Sequence, residues 1–110
     1  MKMDYVKVAT KSEIPDNKMK KVNVGEKEAL IVNVNGNYYA INNRCTHAGT
    51  DLSLGTLKGK IIECPKHHAK FDVTSGKVFS KPSIAFFHPN INDEQVYQMK
   101  LKNEDIMVKI

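Results

Sequence analysis

Both cysteines and three of the four histidines of this 110-residue chain lie within residues 45–68. They form two pairs, Cys45-x-His47 and Cys64-x-x-His67. Chance is a poor explanation for such crowding of rare residues, so the pairs point to one shared ligand. A fold that satisfies this pattern has to bring the two pairs together.

Three kinds of site are consistent with these residue types. Two buried thiols can be plain core residues. Two thiolates and two imidazoles can also make a tetrahedral zinc site, although Cys-x-His is a cramped spacing for zinc. The third possibility is a [2Fe–2S] cluster with two thiolates on one iron and two imidazoles on the other.

The rest of the chain favours short antiparallel strands. Residues 5–9 alternate with period two, and β-rich stretches at 29–34 and 38–41 flank Asn35-Gly36, a strong hairpin signal. Further strand candidates are 60–63, 69–73, 77–79, a segment with Val96, Met99 and Leu101, and a segment with Ile106, Val108 and Ile110. No stretch has an apolar stripe of helical period, whereas residues 42–57 are typical of a long functional loop. The pattern predicts an all-β sandwich or barrel.

Length, composition and charge indicate the general type of protein. The length fits one domain, residues 1–110, and no apolar run reaches the length of a membrane helix. Residues 1–10 have no signal-peptide core, so we expect a cytoplasmic protein with reduced thiols. The net charge is +5, but 16 of the 17 basic residues are dispersed lysines and only Arg44 is arginine, which disfavours nucleic-acid binding.

The segments CTHAGTDLSLG and CPKHHAKFDVTSGKV resemble the two cluster-binding loops of Rieske proteins, in particular the small soluble Rieske-type ferredoxins. The similarity extends over the whole chain, including Lys81-Pro82, which resembles the proline-bearing loop that covers the cluster. The resemblance implies a Rieske-like antiparallel β-sandwich with a small cluster-binding subdomain at about 43–82. It also implies a Rieske-type [2Fe–2S] cofactor.

The resemblance further implies the ligand set. Cys45 and Cys64 would bind the inner iron, and His47 and His67 the outer iron. His68 departs from the family, where glycine is common, but the Cys-x-x-His spacing favours His67 as the ligand. His88 is expected to be a plain surface histidine.

The family also indicates the range of the reduction potential. High-potential Rieske proteins carry two extra cysteines in these loops, where this chain has Thr50 and Lys66. They also carry a serine and a tyrosine that donate hydrogen bonds to sulfur, where this chain has Ala69 and Phe71. Because hydrogen bonds to sulfur stabilise the more negative reduced state, their absence predicts a potential in the lower part of the Rieske range.

These features predict an electron carrier rather than an enzyme, because only His68 and His88 remain for the mononuclear iron site of an oxygenase. The expected partners are a reductase and a terminal oxidoreductase or oxygenase. Residues 44–81 hold seven basic and three acidic residues, so these partners are expected to present acidic docking faces, with Lys66 as the first docking candidate. The alternatives are a redox-sensing or small regulatory subunit of an oxidoreductase, and a structural zinc-binding module.

Overall fold

The computed structural model describes residues 5–46 and 49–109. Its strands are β1 (Tyr5–Thr10), β2 (Met19–Val24), β3 (Lys27–Val34), β4 (Asn37–Asn42), β5 (Thr56–Lys58), β6 (Ile61–Glu63), β7 (Lys70–Asp72), β8 (Val78–Ser80), β9 (Val96–Lys102) and β10 (Asp105–Lys109). Within the described ranges, helical structure is limited to two 3₁₀ turns, Lys11–Glu13 and Leu52–Leu54. None of the described helical segments is long or apolar enough to span a membrane.

The strands form two antiparallel sheets. The large sheet has the order β1-β10-β9-β4-β3-β2. The small sheet has the order β5-β6-β7-β8. The loop from 43 to 55 leads from the large sheet into the small one, and it carries the first Cys-His pair. The second pair lies in the turn between β6 and β7.

Strand β3 is buried on both faces, because successive side chains of a strand point to opposite sides. Ala29 and Ile31 pack into one core with residues of β1, β2, β4, β9 and β10. Leu30 and Val32 pack into a second core, which holds both cysteines and the apolar residues of the small sheet. The second core therefore joins the large sheet to the two Cys-His segments.

The all-β antiparallel prediction is confirmed. The predicted hairpin turn is also present, since Asn35 and Gly36 adopt φ values of 52° and 92°. Strands β2 and β5 were not predicted. In β2 only Val22 is buried, so it lacks an apolar alternation. Strand β5 has a single apolar residue, Leu57, at the end of the stretch that was predicted as a loop. Ile110, assigned to the last predicted strand, lies outside the described residues.

Candidate metal centre

The first Cys-His segment follows β4, and its cysteine is buried. Cys45 is 2% exposed. Its amide donates a hydrogen bond to the carbonyl of Thr50 at 2.8 Å, and its carbonyl accepts one from the amide of Gly49 at 2.7 Å. These two bonds join Cys45 to Gly49 and Thr50. His47, the predicted second ligand of this segment, lies outside the described residues.

A cluster of polar groups joins residue 43, before this segment, to residues 51–53, after it. The side-chain amide of buried Asn43 donates to Asp51 Oδ1 at 2.8 Å, and the amide of Ser53 donates to the same oxygen at 2.9 Å. Lys21 Nζ lies 3.1 Å from Asp51 Oδ2. Burial opposes ionisation of Asp51, but the hydrogen bonds from Ser53, Asn43 and Lys21 outweigh it and hold the pKa of this carboxyl well below its usual range. Asp51 therefore remains ionised and fixes the end of the loop.

The second segment forms the turn between β6 and β7. Cys64 is fully buried, and its amide donates to the carbonyl of Ala69 at 2.7 Å, which closes the turn. His67 and His68 both adopt positive φ, 64° and 63°. Such φ values are costly for non-glycine residues and cluster at functional sites, so the turn is held by its surroundings.

The two histidines of this turn differ in exposure. His67 is half-buried and its carbonyl accepts a hydrogen bond from the amide of Ser83 at 2.8 Å. His68 is exposed, and its Nδ1 lies 2.7 Å from Glu63 Oε2. The side chain of His68 therefore contacts the carboxylate of Glu63, at the end of β6. His88 is exposed, as the sequence predicted.

The structure places the two predicted thiol ligands in one buried group. Cys45 and Cys64 belong to the same core, whose other fully buried members are Leu30, Val32, Ile41, Leu52, Ile62, Ala69, Phe71 and Val73. Within residues 5–46 and 49–109, no group of three or more His, Cys, Asp or Glu side chains converges as a metal site. The predicted set requires His47, which is outside these ranges. Two buried thiols on separate segments, with the half-buried His67 three residues after Cys64, fit a centre with mixed thiolate and imidazole ligands.

Residues 82–87 form a third segment, which contacts the turn between β6 and β7. Pro82 is buried, and Ser83 bonds to the carbonyl of His67. Ile84 and Phe87 then pair through two backbone hydrogen bonds of 2.9 and 2.8 Å, which leaves Phe86 at the tip with 98% of its surface exposed. The sequence analysis assigned no role to this hairpin.

Glu94 is a feature of the site that sequence reasoning missed. Its side chain is only 4% exposed, and its Oε2 accepts a hydrogen bond of 3.0 Å from the amide of Thr46, between Cys45 and His47. Burial raises the pKa of Glu94 to about 7, although the bond from Thr46 opposes the shift. The sequence around it, NINDEQVY, is polar and gives no signal of a buried carboxyl.

An all-β chain that buries two cysteines from separate segments in one core is typical of the class of small proteins with two metal-binding loops. The Rieske [2Fe-2S] domain family matches residues 4–106 of this chain. The ferredoxin component of the naphthalene 1,2-dioxygenase/salicylate 5-hydroxylase systems of Ralstonia sp is 34% identical over 100% of this chain and 99% of its own length. The ferredoxin component of the Pseudomonas putida naphthalene 1,2-dioxygenase system is 33% identical over the same shares.

Solved structures agree with this similarity. A chain in the complex of reduced oxygenase and oxidized ferredoxin in carbazole 1,9a-dioxygenase superposes with a TM-score of 0.79 at 30% identity, covering 96% of this chain and 92% of that one. The Sphingomonas yanoikuyae B1 ferredoxin, at 23% identity, shares the fold with a TM-score of 0.82 over 97% and 99% of the two chains. The chain therefore belongs to the Rieske [2Fe-2S] domain family. The predicted cofactor and the predicted role as an electron carrier rather than an enzyme are confirmed.

Proposed function

We propose that this protein passes single electrons from a reductase to the oxygenase component of a multicomponent dioxygenase system. The observation that carries the proposal is the burial of both cysteines in one core, beside a turn that keeps His67 half-exposed. The full-length similarity to ferredoxin components of dioxygenase systems supports the same role.

We assign the cluster ligands as Cys45 and Cys64 at the inner iron and His47 and His67 at the outer iron. The buried thiols exclude water from the inner side, and the half-buried imidazole of His67 leaves an edge that a partner can approach. The bound cluster supplies a one-electron couple within about −150 to +300 mV. The protein supplies the shielding and the path for the electron.

We propose that residues 1–110 form a single Rieske domain, with the cluster-binding subdomain at about 43–82. The small sheet supports this division, because all four of its strands lie between residues 56 and 80. We also propose a cytoplasmic location, a compartment in which thiols such as Cys45 and Cys64 stay reduced and available as ligands.

The partner docks, in this proposal, on a basic and aromatic surface around His67. Lys66 and Lys81 are exposed, and neither has a carboxylate within ion-pair distance among the described residues. Phe86 and Phe87 are exposed on the hairpin that follows Ser83, whose amide bonds to His67. This surface complements an acidic rim around an apolar recess.

Lys66→Glu tests the charge of this surface. We expect slower electron transfer at low ionic strength, several-fold by stopped flow, with the difference shrinking as salt screens the charges. Lys102→Glu, an exposed lysine at the β9–β10 turn, is the matched control and should keep the wild-type rate. An equal rate for Lys66→Glu and wild type would remove Lys66 from the docking surface.

Reconstitution tests the electron-transfer role itself. The purified protein is mixed with the reductase and oxygenase of the Pseudomonas putida naphthalene 1,2-dioxygenase system, with that system's own ferredoxin left out. Product formation that depends on added protein and saturates with its concentration supports the proposal. A protein that is reduced by the reductase but is never reoxidised by the oxygenase would contradict the assignment of an oxygenase as acceptor.

A further inference from the structure

Residues 91–95, which we call the strap, connect the Phe86 hairpin to β9. Ile91 packs against the core that holds both cysteines. The carbonyl of Asn92 accepts a hydrogen bond of 2.6 Å from Thr46 Oγ1, and Glu94 Oε2 accepts one of 3.0 Å from the amide of Thr46. Two strap residues thus hold one residue of the first Cys-His segment.

The strap is itself anchored to the small sheet and to the end of β4. Asp93 Oδ1 accepts a hydrogen bond from the amide of Val78 at 2.9 Å, and the amide of Glu94 donates to the carbonyl of Gly76 at 2.6 Å. The carbonyl of Gln95 accepts one from Asn42 at 2.9 Å. Because the strap is fixed on both sides, it can hold the first segment in a defined position.

Burying the carboxyl of Glu94 at this position costs free energy. Glu94 is the one charged side chain among the buried described residues, and no cationic group of the described ranges lies within ion-pair distance of it. A buried carboxyl without a cation loses hydration that a core aliphatic side chain would not lose. Packing alone therefore does not account for Glu94, whereas the hydrogen bond to Thr46 uses its oxygen directly.

We propose that Glu94 is a positioning residue for the cluster: its carboxyl oxygen fixes the backbone of Thr46, which in the sequence directly follows the ligand Cys45 and directly precedes the ligand His47. The proposal rests on the ligand set assigned above. Replacing the acceptor with a group that cannot accept leaves the amide of Thr46 without this partner and loosens the segment at its centre. The loss should destabilise the cluster, because in the sequence Thr46 lies between Cys45, the proposed ligand of the inner iron, and His47, the proposed ligand of the outer iron.

The test compares three variants of the cluster-loaded protein. Glu94→Gln keeps an oxygen acceptor and the shape of the side chain. Glu94→Met keeps the length but has no such acceptor. Asp93→Asn removes the charge of the neighbouring strap carboxylate but keeps the Oδ1 acceptor for the amide of Val78, so the strap stays anchored and this variant is the matched control.

Two measurements distinguish positioning from general stability. The first is the half-life of the visible absorbance of the cluster in the presence of an iron chelator, and the second is the EPR spectrum of the reduced protein. We expect Glu94→Met to shorten the half-life about tenfold, which corresponds to about 1.4 kcal/mol, and to shift the EPR g values. Glu94→Gln and Asp93→Asn should keep the wild-type g values and a half-life within about twofold of wild type.

Wild-type behaviour of Glu94→Met in both measurements would overturn the proposal, and so would an equal effect of Asp93→Asn. If Glu94→Met does not fold, Glu94→Gln decides alone, because a tenfold loss with the acceptor retained excludes positioning by this bond. A wild-type protein that holds no cluster would overturn the proposed function as well, whereas a loaded wild type with an indifferent Glu94→Met variant overturns only this inference.

Discussion

Adding hydroxyl groups at positions 69 and 71 should raise the reduction potential. Ala69 and Phe71 are both fully buried, and the carbonyl of Ala69 accepts the hydrogen bond from the amide of Cys64. Phe71 belongs to the same core as both cysteines. In the double variant Ala69→Ser with Phe71→Tyr, the new hydroxyls enter the buried core that holds both cysteines, where sulfur is the expected acceptor.

The size of the shift follows from burial. A hydrogen bond to a charged group contributes about 1.5–3 kcal/mol, and only the part that differs between the oxidised and reduced states changes the potential. If about half of that differs, each hydroxyl adds about 1 kcal/mol in favour of the reduced state. One tenfold change in the equilibrium, about 1.4 kcal/mol, is 59 mV for a one-electron couple, so two hydroxyls should add on the order of 80 mV.

Redox titration of the double variant, followed by visible absorbance, measures the shift directly. Thr50→Ser, which changes a hydroxyl-bearing side chain outside the core, is the control and should leave the midpoint unchanged. The single variants should each give about half of the increase. A midpoint that stays the same or falls in the double variant would refute the explanation of the potential by hydrogen bonds to sulfur.

Two further predictions concern stability. Gly76→Ala should destabilise the protein by about 3 kcal/mol in denaturant unfolding, because φ is +78° and the new Cβ would collide with the backbone oxygen of Glu94. Gly25→Ala, with φ of +62° and open space around it, should cost only about 1 kcal/mol, and equal losses would contradict the steric argument. Glu94 has an ordinary pKa of 4.5 and a folded pKa of about 7, with Tyr97 as the neighbouring group that its charge affects. The stability that the protonated carboxyl contributes is therefore fully present below pH 4.5 and is lost as the pH rises through 7. Relative to Glu94→Gln, the free energy of unfolding of the wild type should fall by on the order of 3 kcal/mol across this range. A difference in unfolding free energy between the two proteins that does not change with pH would contradict the buried position of Glu94.

The sequence predicted the parts of this protein that depend on local pattern. The alternation of residues 5–9 in the sequence predicted β1, and the β-rich stretches on either side of Asn35-Gly36 predicted β3 and β4, because β propensity and positive φ are properties of short segments. The candidate ligands could be predicted from the two Cys-His pairs, because few residue types bind metals and these are grouped in the sequence. The structure then added the common core of Cys45 and Cys64, which sequence spacing alone does not define.

The parts that were missed depend on contacts between distant residues. Glu94 meets Thr46 across 48 positions, and a glutamate in a polar stretch carries no sign of burial. The amide of Asn43 binds Asp51 under the first loop, yet both are ordinary loop residues in the sequence. Strand β2 was not predicted because its lysines are exposed and only Val22 is buried, whereas Met19 and Val24 pack partly buried against the two cores. Polar groups acquire their roles from the fold, so their burial has to be observed.

The most direct test of the account is the coordination of iron in the purified protein. Mössbauer spectroscopy of the reduced, iron-57-labelled protein, combined with pulsed EPR, identifies the ligand atoms at each iron. The account predicts two inequivalent irons, with two nitrogen ligands on the iron that is reduced and none on the other. All-sulfur coordination, or a protein with no iron and sulfide, would contradict it.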